Sequence, residues 1–132
     1  MDTNKCDRWP TRRVLVVDDE PFILEVVEIY LKEAGFTVGS AASGANALQK
    51  FTESRWDLII TDRAMPGMDG EVLAERVRNL APGFPMILIT GFAKPGTHLE
   101  LFDGTLIKPF SKQELIGAID RALAKSPIRV AA

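Results

Sequence analysis

The chain has few of the residues that mark disulfide-rich, zinc-binding or nucleic-acid-binding proteins. Its 132 residues include one cysteine, Cys6, which excludes an intrachain disulfide and gives no sign of an oxidising compartment. They also include one histidine, His98, which cannot form a zinc site by itself. The net charge of −2 gives no electrostatic reason to expect DNA or an acidic membrane surface as a partner.

Long hydrophobic runs are missing too. No apolar run approaches the roughly 20 residues that a membrane-spanning helix needs. The first residues, MDTNKCDRWPTRR, are polar and lack the apolar stretch of a signal peptide. We therefore expect a cytoplasmic protein without membrane contact or direct DNA binding.

Short apolar runs alternate with helical patterns along the rest of the sequence. The runs are continuous rather than alternating in polarity, which predicts strands buried on both faces. The five predicted strands are RVLVVDD (13–19), VGSAA (38–42), DLIIT (57–61), MILIT (86–90) and TLIKP (105–109).

Each run is followed by a helical pattern. Pro21 suits the first turn of a helix and Gly35 its end, while Ser111 and Glu114 form a capping box that opens the last helix. The helices are expected over 21–35, 47–51, 72–80, 97–102 (only a turn or two) and from 111 to about 123.

This order predicts an α/β fold in which a doubly wound parallel sheet has helices on both faces, since parallel neighbours need crossovers. The length suits one domain. We place it at residues 13–125, after a flexible arm at 1–12 and before a short tail at 126–132.

Polar residues collect at the predicted carboxyl ends of the strands, where such folds place their functional crevice. The first strand ends at Asp18 and Asp19, the third at Asp62, the fourth at Thr90, and the fifth at Lys108. Each close pair of carboxylates repels by on the order of 1 kcal/mol or more, so a cation is needed nearby. Lys108 and a hard ion such as Mg²⁺ would supply this positive charge. Together with an acidic nucleophile they are the parts of a phosphoryl-transfer site.

Four segments, VLVVDDEP, DLIITDRAMPGMDG, MILITG and LIKPF, resemble the receiver domain of bacterial two-component response regulators. The resemblance covers residues 13 to 125 and fits a stand-alone receiver. It implies the flavodoxin-like fold, with five parallel strands in the order 2-1-3-4-5 and five helices. Here the fourth helix is expected to be short.

The resemblance also assigns roles to single residues. Asp62 matches the phospho-acceptor, and Lys108 matches the lysine that contacts the phosphoryl group, with a Lys108–Pro109 bond that is typically cis. Asp18 and Asp19 match the acidic pair that holds Mg²⁺ together with Asp62. The main-chain carbonyl of Ala64 would complete the protein's share of the metal ligands.

Switching is assigned to Thr90, whose hydroxyl would turn toward the phosphoryl group. The family often has an aromatic residue three positions before the lysine, and here that position is Thr105. Thr90 and Lys108 are 18 positions apart, which is short for the family and shortens the fourth helix. That helix belongs to a face through which many relatives dimerise, so a homodimer stays an open possibility.

The expected function is that of a response regulator. It would accept a phosphoryl group on Asp62 from a histidine kinase or histidine phosphotransfer protein, with Mg²⁺, and signal by conformational change to a protein partner. It would be catalytic only on itself. An aspartyl phosphatase is disfavoured because its usual second acid would fall at Ala64. A receiver-like binding module that acts without phosphorylation is the remaining alternative.

Overall fold

A computed structural model describes residues 12–91 and 99–125 of the chain. Its centre is a five-stranded parallel sheet in the order β2-β1-β3-β4-β5, which confirms the predicted topology. All five predicted strands are present within a few residues of their expected bounds. They are β1 (Arg13–Val17), β2 (Thr37–Ala41), β3 (Leu58–Asp62), β4 (Met86–Thr90) and β5 (Gly104–Ile107).

The described residues hold four α-helices and one 3₁₀ turn, close to the five helices expected. The predicted short fourth helix corresponds to the single 3₁₀ turn at Leu99–Leu101. Residues 92–98, most of the predicted arm and the tail lie outside the described residues. The α-helices are α1 (Pro21–Glu33), α2 (Gly44–Glu53), α3 (Gly70–Leu80) and α4 (Lys112–Lys125).

Helix ends follow the local chemistry read from the sequence. Pro21 opens α1, and Gly35 follows its end with φ of 97°, a backbone conformation that suits glycine. The capping box of α4 is confirmed, because the Ser111 N–H donates to Glu114 Oε1 at 2.8 Å and the Glu114 N–H donates to Ser111 Oγ at 3.0 Å. No helix in the described ranges is both long and apolar enough to cross a membrane.

The sheet is buried on both faces, as the continuous apolar runs predicted. Alternate strand residues point to opposite faces, so each strand contributes to two cores. One core lies under α1 and α4 and the other under α2 and α3. The first contains Val14, Val16, Val27, Leu31, Leu58, Ile60, Ile87, Ile89, Leu106, Leu115 and Ile119. The second contains Leu15, Val17, Ala47, Ile59, Leu73, Val77, Met86, Leu88 and Phe102.

Candidate phosphoryl-transfer site

Three carboxylates converge at the carboxyl edge of the sheet. Asp18 and Asp19 directly follow β1, and Asp62 is the last residue of the neighbouring β3. One oxygen from each of the three side chains lies within 4.8 Å of the others. The structure thus brings together the three acidic side chains that the sequence predicted to share a cation.

The three acids differ in their exposure to solvent. Asp18 is 1% exposed and Asp62 is 6% exposed, while Asp19 is open to solvent. Asp18 Oδ1 accepts a hydrogen bond of 2.9 Å from the Glu20 N–H. Its other oxygen, Oδ2, is buried and has no hydrogen-bond partner among the described residues.

The burial of Asp18 disfavours its charged form. Loss of hydration raises the pKa of this carboxyl from 3.8 to about 6 against the opposing hydrogen bond from Glu20, and the charge of Asp62 adds to the rise. The Lys108 ammonium opposes the rise without cancelling it. The hydrogen bond from Glu20 and the charge of Lys108 therefore stabilise the ionised form of Asp18 only in part.

Lys108 reaches into the cluster from the end of β5. Its Nζ lies 3.0 Å from Asp62 Oδ1 and 3.9 Å from both Asp18 Oδ2 and Glu20 Oε1. Burial lowers the pKa of Lys108, but the hydrogen bond with Asp62 and the nearby carboxylates outweigh it and raise this pKa above 10.5. The Lys108–Pro109 peptide bond is cis, as the resemblance implied.

A tight loop joins Asp62 to α3. The Arg63 carbonyl accepts a hydrogen bond of 2.9 Å from the Gly70 N–H, which closes the loop at its base. Gly67 has φ of 80°, and a Cβ on Gly70 would lie 2.5 Å from the Asp62 carbonyl oxygen, so both positions require glycine. Ala64, the predicted main-chain ligand, lies exposed in this loop.

The donor set fits a hard divalent cation. Carboxylate oxygens are the preferred ligands of Mg²⁺. The buried Oδ2 of Asp18, which has no hydrogen bond among the described residues, gives an independent reason to expect such an ion, because buried carboxylate oxygens otherwise find hydrogen-bond donors. Asp18, Asp19 and Asp62 are the side chains that would hold the ion.

The sequence pattern of the family described as response regulator receiver domain matches residues 14–120. This chain belongs to that family. Among its relatives, the transcriptional regulatory protein GlrR of Escherichia coli K12 is 36% identical over 118 residues, which make up 86% of this receiver and 26% of GlrR. The response regulator receiver protein CpdR of Brucella abortus is 31% identical over 85% of this receiver and 97% of CpdR.

Solved structures agree with the family assignment. The response regulator TrrA of Thermotoga maritima, solved in complex with Mg²⁺ and BeF, matches this receiver with a TM-score of 0.81 and 33% identity, over 86% of this receiver and 100% of TrrA. The chemotaxis protein CheY4 of Vibrio cholerae matches with a TM-score of 0.81 and 34% identity over 99% of its chain. The receiver spans only about a quarter to a half of the first curated relatives it matches, 26% of GlrR and 51% of ResD of Bacillus subtilis.

Two threonines to which the family resemblance assigns switch roles lie on β4 and β5 of this receiver. Thr90 is the last residue of β4, is 6% exposed, and accepts the Lys108 N–H on its carbonyl at 2.9 Å. In the register of β4 and β5 it faces Ile107, which is 45% exposed. Thr105 lies two residues before Ile107 and is half-buried. It therefore shares a sheet face with Ile107, and this face also carries Leu88.

Two further side chains make contacts outside the acidic cluster. Arg63 is half-buried, and its Nε lies 3.3 Å from Glu71 Oε2 in the first turn of α3. Phe102, the aromatic residue three positions before Thr105, is 9% exposed and packs in the core under α2 and α3.

Sequence reasoning gave no role to two residues that contact the site. Glu20 approaches Lys108, and Thr61 donates a hydrogen bond to the Asp62 main chain. Glu20 could have been found, because it directly follows the acidic pair. Thr61 carried no such signal, since a threonine in a strand is common for its β-propensity alone.

Proposed function

We propose that this receiver accepts a phosphoryl group on Asp62 from a phosphohistidine of a sensor kinase or a histidine phosphotransfer protein. The observation that carries the proposal is the pairing of the buried Asp62 with Lys108 at 3.0 Å, beside an Asp18 oxygen that lacks a hydrogen bond. Together these residues offer a nucleophile, a positive charge and an oxygen without a hydrogen bond that could bind a cation.

The transfer step uses a carboxylate oxygen of Asp62 as the nucleophile. This oxygen forms a bond to phosphorus while the phosphorus–nitrogen bond of the donor histidine breaks, and the electron pair of that bond leaves with the imidazole nitrogen. Lys108 exchanges part of its contact with Asp62 for the phosphoryl oxygens, whose developing charge it stabilises. Asp62 itself is held in place because it ends a strand buried on both faces.

Asp18, Asp19 and Asp62 would hold Mg²⁺, and the carbonyl of Ala64 would complete the protein's ligands. When bound, the ion would neutralise the acidic cluster and stabilise the charge on the transferring phosphoryl group. The chain would catalyse reactions only at its own Asp62, which would both accept the phosphoryl group and lose it to water. The Mg²⁺–BeF complex named for TrrA supports this assignment by similarity.

Phosphorylation would convert the Asp62 carboxylate, which now pairs with Lys108, into an acyl phosphate, and so change the charge balance near the ends of β4 and β5. Thr90, at the end of β4, would turn its hydroxyl to the new phosphoryl oxygens, and Thr105 would take the place of the usual aromatic residue. The resulting shift in population between two conformations would be read by a protein partner in the cytoplasm. A copy of the same chain is one such candidate.

The test is the intact mass of the protein after incubation with acetyl phosphate, with Mg²⁺ and with EDTA. We expect one added phosphoryl group only with Mg²⁺, and none on Asp62→Asn. Asp57→Asn is the matched control, because Asp57 is also buried but lies at the opposite edge of the sheet, and it should form the adduct as the wild type does.

No adduct at any quench time, together with no beryllofluoride binding, would contradict the proposal and favour a module that works by unphosphorylated contacts. Beryllofluoride binding without a detectable adduct would instead support the acceptor role with rapid hydrolysis. An adduct that persists on Asp62→Asn would show that another residue is the acceptor.

A further inference from the structure

The main-chain carbonyl oxygen of Asp62 is contacted from two directions. The Thr61 hydroxyl donates a hydrogen bond to it at 2.9 Å. The start of α3 lies so close that a Cβ on Gly70 would be 2.5 Å from the same oxygen and 3.2 Å from Arg63 Cα. Thr61 is fully buried, so no bulk water can replace its hydroxyl as a donor.

The neighbouring peptide groups are held by main-chain contacts. The Arg63 N–H donates to the Ile89 carbonyl of β4 at 2.9 Å, and the Arg63 carbonyl accepts from the Gly70 N–H at 2.9 Å. The Asp62 carbonyl lies between these two anchors and receives its hydrogen bond from a side chain. This makes its orientation sensitive to substitution at one buried position.

We propose that Thr61 is a positioning residue of the phospho-acceptor. Its hydroxyl fixes the peptide plane between Asp62 and Arg63 against the backbone of Gly70. That plane sets both the direction of the Asp62 carboxylate and the place of the Ala64 carbonyl two residues later. The inference rests on the proposed function, because it assumes that these two groups act together on Mg²⁺ and the phosphoryl group.

The identity of the side chain suits this task. Threonine has a restricted set of rotamers because it is branched at Cβ, so a buried threonine in a strand presents its hydroxyl with little freedom. Valine keeps the shape but removes the donor, and serine keeps the donor but removes the methyl group. These two variants separate the hydrogen bond from the packing of the side chain.

The experiment compares Thr61→Val and Thr61→Ser with the wild-type chain. The first measurement is the Kd for Mg²⁺ alone, from the amide NMR shifts of residues 62–64 during a titration. The second is the rate of adduct formation with acetyl phosphate at saturating Mg²⁺. Thr52→Val is the matched control, since Thr52 also donates its hydroxyl to a main-chain carbonyl, that of Gln49, but on the exposed face of α2.

We expect Thr61→Val to raise the Kd for Mg²⁺ and lower the adduct rate by about tenfold each, the effect typical of removing a group that orients a ligand. Thr61→Ser should restore both to within about twofold of the wild type, and Thr52→Val should change neither. Gly70→Ala should shift the same amide resonances more strongly, because the added Cβ displaces the carbonyl directly.

Two results would overturn the inference. A Thr61→Val chain that unfolds at a lower temperature but keeps the wild-type Kd and adduct rate would show that the hydroxyl acts only on stability. Equal losses in Thr61→Val and Thr61→Ser would assign the effect to packing. A wild-type chain that binds Mg²⁺ but forms no adduct would contradict the proposed function while the Kd series still decides the role of Thr61.

Discussion

At the amino edge of the sheet, Asp57 and Asp103 accept hydrogen bonds from the main chain, whereas at the carboxyl edge one buried oxygen of Asp18 has no hydrogen-bond partner among the described residues. Asp57 Oδ2 accepts the Arg13 N–H at 2.8 Å, and Asp103 Oδ2 accepts both the Met86 N–H at 2.8 Å and Arg78 Nη2 at 3.2 Å. Both acids tie the first residue of a strand to a neighbouring segment. Aspartates at opposite ends of one sheet thus perform opposite tasks.

The difference lies in how each carboxylate is compensated. A buried acid with main-chain donors stabilises its surroundings, because the donors also need a partner. A buried acid that faces other acids lowers stability until a cation arrives. Under the proposed function, the acids at the carboxyl edge would bind an ion at the expense of the stability of the ion-free protein, whereas those at the amino edge contribute to stability only.

The contrast is tested most strongly by Asp18→Asn in EDTA. The pKa of Asp18 is about 6 in the folded chain and near 3.8 when unfolded, so its stabilising contribution is complete below about pH 3.8 and is lost as the pH rises through 6. At pH 7.5 ionised Asp18 therefore costs on the order of 2–3 kcal/mol, and the asparagine variant should raise the free energy of unfolding by that order. Urea unfolding at pH 7.5 and 4.5 measures this, and the gain should shrink at the lower pH.

Added Mg²⁺ should reverse the ranking of the two proteins. The wild type should gain stability by binding the ion, while the variant, which lacks one proposed ligand, should bind it at least about tenfold more weakly. If Asp18→Asn is less stable than the wild type in EDTA at pH 7.5, the acid is already compensated within the protein, and the contrast between the edges is wrong.

The amino edge should respond in the opposite way. Asp57→Ala removes the acceptor of the Arg13 N–H and leaves a main-chain donor without its partner, so the free energy of unfolding should fall by about 2 kcal/mol. The Kd for Mg²⁺ should stay within about twofold of the wild type, because the proposed ligands lie at the far end of the strands. Urea unfolding and an Mg²⁺ titration on the same sample decide both points.

Asp57→Asn serves as the control, since an amide oxygen can still accept from Arg13. It should recover most of the lost stability. A change in Mg²⁺ affinity for either variant would mean that the two edges are coupled through β3.

The fold was predictable because its signals are local and repeated. Continuous apolar runs such as that before Asp62 place strands in the middle of the sheet, and Pro21, Gly35 and the Ser111–Glu114 capping box mark helix ends. The convergence of Asp18, Asp19 and Asp62 followed from parallel strands that end at one edge. Each of these inferences needs only the strand direction or a local motif.

The remaining features depend on side-chain geometry that strand direction does not determine. The unpaired Oδ2 of Asp18, the contact of Glu20 with Lys108 and the hydrogen bond from Thr61 all depend on rotamers and on how closely helices approach the sheet. The pairing of Arg63 with Glu71 was missed for the same reason, because it links a loop to the next helix. Sequence patterns identify the residues of the candidate site, but they do not show which of their charges are balanced by hydrogen bonds or ion pairs.

A smaller effect is expected at Phe22, beside the carboxyl edge. Phe22 follows Glu20 by two residues at the start of α1 and is 70% exposed, although it is a large apolar side chain. We expect a protein donor that reaches the nearly buried Asp62 to cover this surface, whereas acetyl phosphate would not. Phe22→Ala should therefore lower the rate of transfer from a phosphohistidine protein by about fivefold, the loss expected for truncating one side chain at an interface.

The measurement is the ratio of the two rates, with the protein donor and with acetyl phosphate, for each variant. Ile29→Ala is the matched control, because Ile29 is 50% exposed on the same helix but about two turns further from the site. Equal losses with both donors would show that Phe22 supports the site itself rather than the approach of a protein.

The smallest effect should come from an ion pair that belongs to neither edge. Lys112 Nζ lies 2.9 Å from Glu33 Oε1 between α4 and α1, with side chains 42% and 56% exposed. Water compensates both charges when the pair is broken, so Lys112→Met should change the free energy of unfolding by less than about 0.5 kcal/mol. Urea unfolding at low and high salt measures it. A loss near that of Asp57→Ala would mean that an exposed ion pair stabilises the protein as much as a buried, hydrogen-bonded acid does. Burial would then not explain the contrast between the two edges, and the missing hydrogen bond of Asp18 Oδ2 would have to explain it.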